Sequence, residues 1–169
     1  TKDKAALKRA FSEFQLWDIL KNRISFCCAI SLKTFSIIMV REAVILAAGM
    51  GSRLGNQNDQ KPKGFLQLGN QSIIEESIKK LIKSGIEKIW IVTGYQSHHF
   101  RELTKLYNST VCLVSNNEYD QSGTLHSLSM ISDKVCPPFL LLESDIIFEY
   151  RAIEKILNHR NENCILLSG

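Results

Sequence analysis

Paired metal-type cysteines are missing from this chain. Cys27, Cys28, Cys112, Cys136 and Cys164 include no C-x-x-C pair, and their number is odd. Such a set implies neither a zinc module nor a disulfide framework. It fits small buried hydrophobes in a reducing cytoplasm. A clustered basic face is also lacking. The net charge is +4, but residues 1–41 carry eight Lys and Arg against three Asp and Glu, so the remainder is near neutral. Nucleic acid is therefore not an expected partner. The apolar run over residues 24–40 holds Lys33 in its middle. A membrane span needs about 20 apolar residues, so no span is expected. No small-residue cleavage site closes the run, which argues against a signal peptide. Internal repeats, low-complexity stretches, a Ser-His-Asp set and zinc-ligand spacing are missing as well.

The residues present suit a globular protein of one domain: 169 residues, 44% hydrophobic and 22% charged. Residues 4–20 are amphipathic at helical spacing, and residues 1–38 as a whole differ from the rest of the chain. The functional domain is expected to begin at Met39 and run to residue 169, with 1–38 outside it. From residue 43 onward, strands and helices alternate. Strands are expected over 43–47, 88–93, 110–114 and 139–142, with another starting at 164–167 and a short extended piece at 65–68. Helices are expected over 73–84, 97–107, 122–131 and 151–159. Alternation of this kind gives a mostly parallel sheet with helices on both faces, an α/β fold of the Rossmann-like three-layer α/β/α type. Trp90 falls inside an apolar strand and is expected in the core. His98 and His99 read as a polar helix face, His126 as a packing residue in the segment that starts at Ser122, and His159 as a residue near a helix C-terminus, where partial positive charge is favourable.

The chemistry concentrates after the first strand, in Leu46-Ala47-Ala48-Gly49-Met50-Gly51-Ser52-Arg53-Leu54. Small residues here let backbone approach a ligand closely, and successive N–H groups in such a loop form an anion-binding concavity. Ligands of open α/β sheets bind at the carboxyl ends of the strands, where this loop lies. No Lys follows Gly51, so the loop is not a P-loop. Position 54 is Leu and no carboxylate closes the next extended segment, so a dinucleotide fingerprint also fails. The loop continues to Lys61-Pro62-Lys63-Gly64. Arg53 and Lys63 thus bracket one segment, as two cations converging on a triphosphate would. Transfer of phosphoryl or nucleotidyl groups needs positioning and charge neutralisation above all. Asp145 ends an apolar strand, where a carboxylate can hold Mg²⁺ together with substrate phosphates. Glu143, two residues earlier on the same side, is the alternative carboxylate.

Leu46-Ala47-Ala48-Gly49-x-Gly51-Ser52-Arg53 followed by Pro62-Lys63 resembles the signature of the nucleotidyltransferase superfamily, which includes sugar-phosphate nucleotidyltransferases and small cytidylyltransferases. The resemblance runs from about Arg41 to Asp145. Lys61 to Leu66, the Gly94-Tyr95 pair and Ser122 to Leu128 are most similar to cytidylyltransferases acting on 2-aminoethylphosphonate or phosphocholine. It implies a fold of the nucleotide-diphospho-sugar transferase type and transfer of CMP from CTP to a small phosphonate or phosphate, with release of pyrophosphate. By the same resemblance, Arg53 and Lys63 contact the triphosphate, Gly94, Tyr95, Ser122, Gly123 and Thr124 line the cytosine pocket, and Asp145 binds Mg²⁺. Leu46 through Gly49, Gly51 and Ser52 complete the nucleotide-binding set. Members of the superfamily carry a further region with a second acidic metal ligand and most of the acceptor pocket, so the chain is expected to be a fragment. A sugar-1-phosphate nucleotidyltransferase using UTP, dTTP or GTP is the alternative reaction. A nucleotide-binding module without turnover is the alternative of another class.

Overall fold

The computed structural model describes residues 39–49, 61–161 and 163–167. Within them, β1 (Glu42–Ala47) sends alternate side chains to two apolar layers, as a strand covered on both faces must. Ala43, Ile45 and Ala47 enter one layer, and Val44 and Leu46 the other. β4 (Lys88–Thr93) lies parallel to β1 on one side, and β6 (Phe139–Glu143) lies parallel to it on the other. β5 (Val111–Ser115) extends the sheet beyond β4, so the order is β5-β4-β1-β6. The chain therefore builds outward from β1 to β5 and then returns to β1's other flank. That reversal is a topological switch point.

The larger layer is filled by α1 (Ile73–Lys83), α2 (His98–Tyr107) and α4 (Tyr150–Leu157). They contribute Ile74, Ile78 and Leu81, Phe100 and Leu103, and Ile153. Full burial of a side chain such as Ile78 or Phe100 is worth roughly 1.5–3 kcal/mol. On the opposite face, Ile131 and Val135 pack with Val44, Leu46, Val92 and Val114. Leu128 of α3 (Thr124–Ser129) and Trp90 border that layer. The Trp90 indole N–H donates to Glu42 Oε2 at 2.7 Å, which satisfies the polar edge of a ring placed partly in the core. The doubly covered parallel sheet is the α/β architecture that the alternation implied.

Three local expectations are corrected. Residues 65–68 are not one extended piece. A 3-10 turn covers Lys63–Phe65, and a small antiparallel hairpin comes next, β2 (Gln67–Leu68) with β3 (Gln71–Ser72). Its turn uses Gly69 at φ +67, a conformation that glycine adopts without penalty. The helix expected over 122–131 is six residues long: it starts two residues late because Gly123 is extended and the Ser122 hydroxyl bonds elsewhere, and turns replace it after Ser129. Residues 164–167 form no strand: apolar residues alone do not make one without a ladder partner. Ile165, Leu166 and Leu167 are exposed there, as are Ile146 and Ile147 after β6. The amphipathic stretch and the apolar run expected before residue 39 lie outside the described residues.

Candidate active site

A cleft of about 160 Å³ opens at the carboxyl ends of β1 and β6, at the switch point. Leu46, Ala47 and Gly49 form one wall, Pro62 and Lys63 another, and Glu143, Ser144 and Asp145 the third. The chain beyond β6 is held to β1 by the Ser144 N–H, which donates to the Leu46 carbonyl at 3.0 Å. Gly64 is buried against the same residue: a Cβ there would lie 2.9 Å from the Ser144 carbonyl oxygen. Pro62 opens the 3-10 turn with φ −59, and its carbonyl accepts from Phe65 N–H. Phe65 then anchors the turn edge-on to Phe100, 4.9 Å between ring centres. Lys63 is thus carried on a fixed turn, while Lys61 precedes it on exposed backbone.

Lys63 Nζ stands 3.6 Å from Asp145 Oδ2, with both side chains partly open to solvent. An ion pair of this exposure is worth about 0–1 kcal/mol, so the two groups can part at little cost. Glu143 opens into the same cleft. Partial burial of its carboxyl, on a residue that stays exposed, and the nearby Asp145 carboxylate hold Glu143 above its ordinary range. Two carboxylates and an ammonium therefore meet where the fold presents ligands. Among the described residues there is no cluster of three or more His, Cys, Asp or Glu able to enclose a metal ion.

The second group of expected site residues lies on β1's other flank. Gly94 comes directly after β4, and the next N–H, that of Tyr95, donates to the Ala48 carbonyl at 3.4 Å. Gly94 has no room for a side chain. A Cβ would lie 2.4 Å from the Tyr119 Cβ and 2.9 Å from the Ala48 oxygen. The Tyr95 and Tyr119 rings are 6.4 Å apart. Ser122, Gly123 and Thr124 lead into α3 and are tied back through Asn116, whose side-chain nitrogen donates to the Ser122 hydroxyl at 2.9 Å. These residues do not line the 160 Å³ cleft; Ala47 and Ala48 stand between the two groups. Gly51, Ser52 and Arg53 lie outside the described residues. His126 faces Glu118, with Nε2 3.5 Å from the carboxylate, rather than standing alone.

Sequence reasoning passed over Asn116 and Tyr119. Asn116 is 1% exposed, and its side-chain nitrogen is satisfied by Ser122 and Ser127, six and eleven positions on, bonds that no local pattern announces. An asparagine directly after a strand was the available signal, since such residues turn the chain by bonding backbone two positions on. Asn116 does so with Glu118 N–H, at 2.9 Å.

Residues 43–167 match the family described as the MobA-like NTP transferase domain. The chain is 34% identical over 128 residues to the bifunctional protein GlmU of Methanococcus maripaludis, covering 76% of this chain and 29% of that one. It is 30% identical over 116 residues to the 2-aminoethylphosphonate cytidylyltransferase of Lancefieldella rimae, covering 64% and 47%. The solved structure of the CTP:phosphocholine cytidylyltransferase of Streptococcus pneumoniae superposes with a TM-score of 0.58 at 31% identity, over 64% of this chain and 46% of that one. The chain thus spans less than half the length of each of these relatives. A parallel sheet with its cleft at the switch point, and a sequence match across nearly all of the described residues, together place the chain in the MobA-like NTP transferase domain family.

Proposed function

We propose that the whole protein transfers CMP from CTP to a small phosphonate or phosphate, 2-aminoethylphosphonate or phosphocholine, and releases pyrophosphate. The observation that carries the nucleotidyl reading is the Lys63–Asp145 pair in a cleft at the sheet's switch point. It sets a positive charge beside a carboxylate where a polyphosphate would lie. The choice of CTP rests on likeness to the two cytidylyltransferases. In the reaction, an acceptor oxygen attacks the α-phosphorus in line. The new P–O bond forms as the bond to the β-phosphate breaks, and its electron pair leaves with pyrophosphate. A phosphate or phosphonate oxygen is already largely ionised near pH 7, so no strong base is required of the protein. Lys63, with Arg53 from the glycine-rich loop, neutralises charge that grows on the phosphates. Gly94, Tyr95 and Ser122 to Thr124 receive the base.

The donor chemistry suits Mg²⁺. Asp145 is a hard oxygen ligand with Glu143 beside it, and Mg²⁺ is ordinarily held by one or two carboxylates plus substrate phosphates rather than by a protein cage. Asp145 would hold the ion, which when bound offsets phosphate charge. Free thiols at Cys112, Cys136 and Cys164 suit a reducing cytoplasm. Among the described residues no helix is long and apolar enough to cross a membrane.

A second reading, transfer to a sugar 1-phosphate, is favoured by likeness to a UTP–glucose-1-phosphate uridylyltransferase of Haloferax volcanii. Pyrophosphate release by the whole protein, measured for each NTP against a panel of acceptors with Mg²⁺, separates the readings. Release from CTP that depends on aminoethylphosphonate or phosphocholine is expected. Faster release from UTP or dTTP with a sugar 1-phosphate establishes the second reading. Nucleotide binding without release under any pairing leaves a regulatory module.

A further inference from the structure

Asn116 stands just past the end of β5 and is buried to 1% exposure. Its side-chain nitrogen donates to Ser122 Oγ at 2.9 Å and Ser127 Oγ at 3.1 Å, and its oxygen accepts from Glu118 N–H at 2.9 Å. Its own backbone N–H donates to the Thr93 carbonyl at 2.7 Å. Both amide protons are in use, so the group has none left for a ligand. Its bonds run instead to the surroundings of the expected base pocket. Thr93 leads directly into Gly94 and Tyr95. Glu118 closes the turn that sets Tyr119 against Gly94. Ser122 opens the segment that enters α3, and Ser127 belongs to α3 itself.

We infer that Asn116 is a positioning residue for the base: by fixing the Ser122–Thr124 segment relative to the Gly94-Tyr95 turn, it sets which base the protein accepts. The inference rests on the reading of those two segments as the base pocket. Cytosine and uracil differ at one edge by an amino group against a carbonyl. Telling them apart therefore depends on where a few donors and acceptors stand, and a shift of about 1 Å is enough to lose it. The triphosphate is held on the other side of Ala47 and Ala48, at Lys63, so loosening Asn116 penalises the preferred base and spares the phosphates.

Calorimetric titration of the full chain with CTP, UTP, GTP, ATP and inorganic tripolyphosphate tests this. Asn116→Ala is expected to weaken binding of the preferred nucleotide roughly tenfold. The other nucleotides and tripolyphosphate should change little, so that the base preference collapses. Asn116→Asp keeps the oxygen that bonds Glu118, and the two serine hydroxyls can turn to donate to the second oxygen, which replaces the amide nitrogen. It should retain part of the preference and serves as the folded variant where alanine fails. Ser127→Ala leaves the Asn116–Ser122 bond in place, and should lower Tm while keeping most of the preference. Equal weakening for every ligand, an unchanged preference in Asn116→Ala, or loss of the fold in both Asn116 variants makes the residue merely structural and overturns the inference. A wild-type preference for a base other than cytosine overturns the CTP reading alone, and the ratio test then runs on that base. A wild type that binds no nucleotide overturns both.

Discussion

Two lysines flank Pro62, and the structure separates them. Lys63 sits on the 3-10 turn with its ammonium 3.6 Å from Asp145, whereas Lys61 is exposed and precedes the turn. If Lys63 neutralises charge that develops during transfer, Lys63→Ala in the whole protein should lower kcat by on the order of 10²–10³. Its effect on CTP affinity should be smaller. Lys61→Ala should change kcat little, and Lys63→Arg should rescue poorly, because a planar fork does not place charge as a compact ammonium does. Steady-state kinetics on the three variants measure this, and equal small effects at both lysines would remove Lys63 from the mechanism. At this scale the sequence was informative where chemistry is local. A lysine after a proline beside a glycine-rich loop, and an aspartate at a strand end, could both be found by inspection. Gly94 could be picked out, but not its reason, the close approach of Tyr119 from 25 positions on.

Among the elements, α1 shows how directly local residues fix a boundary. Ser72 caps it: Glu75 N–H donates to the Ser72 hydroxyl, while the Glu75 carboxylate accepts from Ser72 N–H at 2.8 Å and from its hydroxyl at 2.7 Å. The serine hydroxyl above all, then its N–H, holds the Glu75 carboxyl below the ordinary range. A lowered carboxyl contributes stability that is present above its unfolded pKa, near 4.5, and lost as pH falls through the lower folded value. Ser72→Ala should therefore cost about 1 kcal/mol near pH 7. The gap from wild type should narrow in acid below that window. Denaturant melts at neutral and acid pH check both parts, and a gap independent of pH would rule out the role given to Glu75. The S-x-x-E pattern that makes this cap is visible in the sequence. The two-residue strands β2 and β3 are not, being too short for alternation to register. The strand expected at 164–167 failed for the opposite reason: its residues are suitable, but a strand exists only through its neighbour.

Over the whole molecule, the alternation of strands and helices was enough to give a parallel sheet covered on both faces, because each strand buries residues on both sides. Strand order was not legible, since it is decided by which edges meet, yet it is the order β5-β4-β1-β6 that puts the cleft between β1 and β6. The same order explains why the expected site falls into two groups. Lys63, Glu143 and Asp145 gather on the β6 side of β1, and Gly94, Tyr95 and Ser122 on the β4 side, with Ala47 and Ala48 between them. Such a division suits a nucleoside triphosphate lying across the end of β1, phosphates on one side and base on the other, with the α-phosphorus as the centre attacked. That assignment predicts which bond breaks. ³¹P NMR of the whole protein with CTP, aminoethylphosphonate or phosphocholine, and Mg²⁺ reads it out. Attack at the α-phosphorus gives pyrophosphate together with a product in which that phosphorus is joined through oxygen to the acceptor phosphorus, whereas CDP with inorganic phosphate, from cleavage between the β- and γ-phosphates, would refute the assignment.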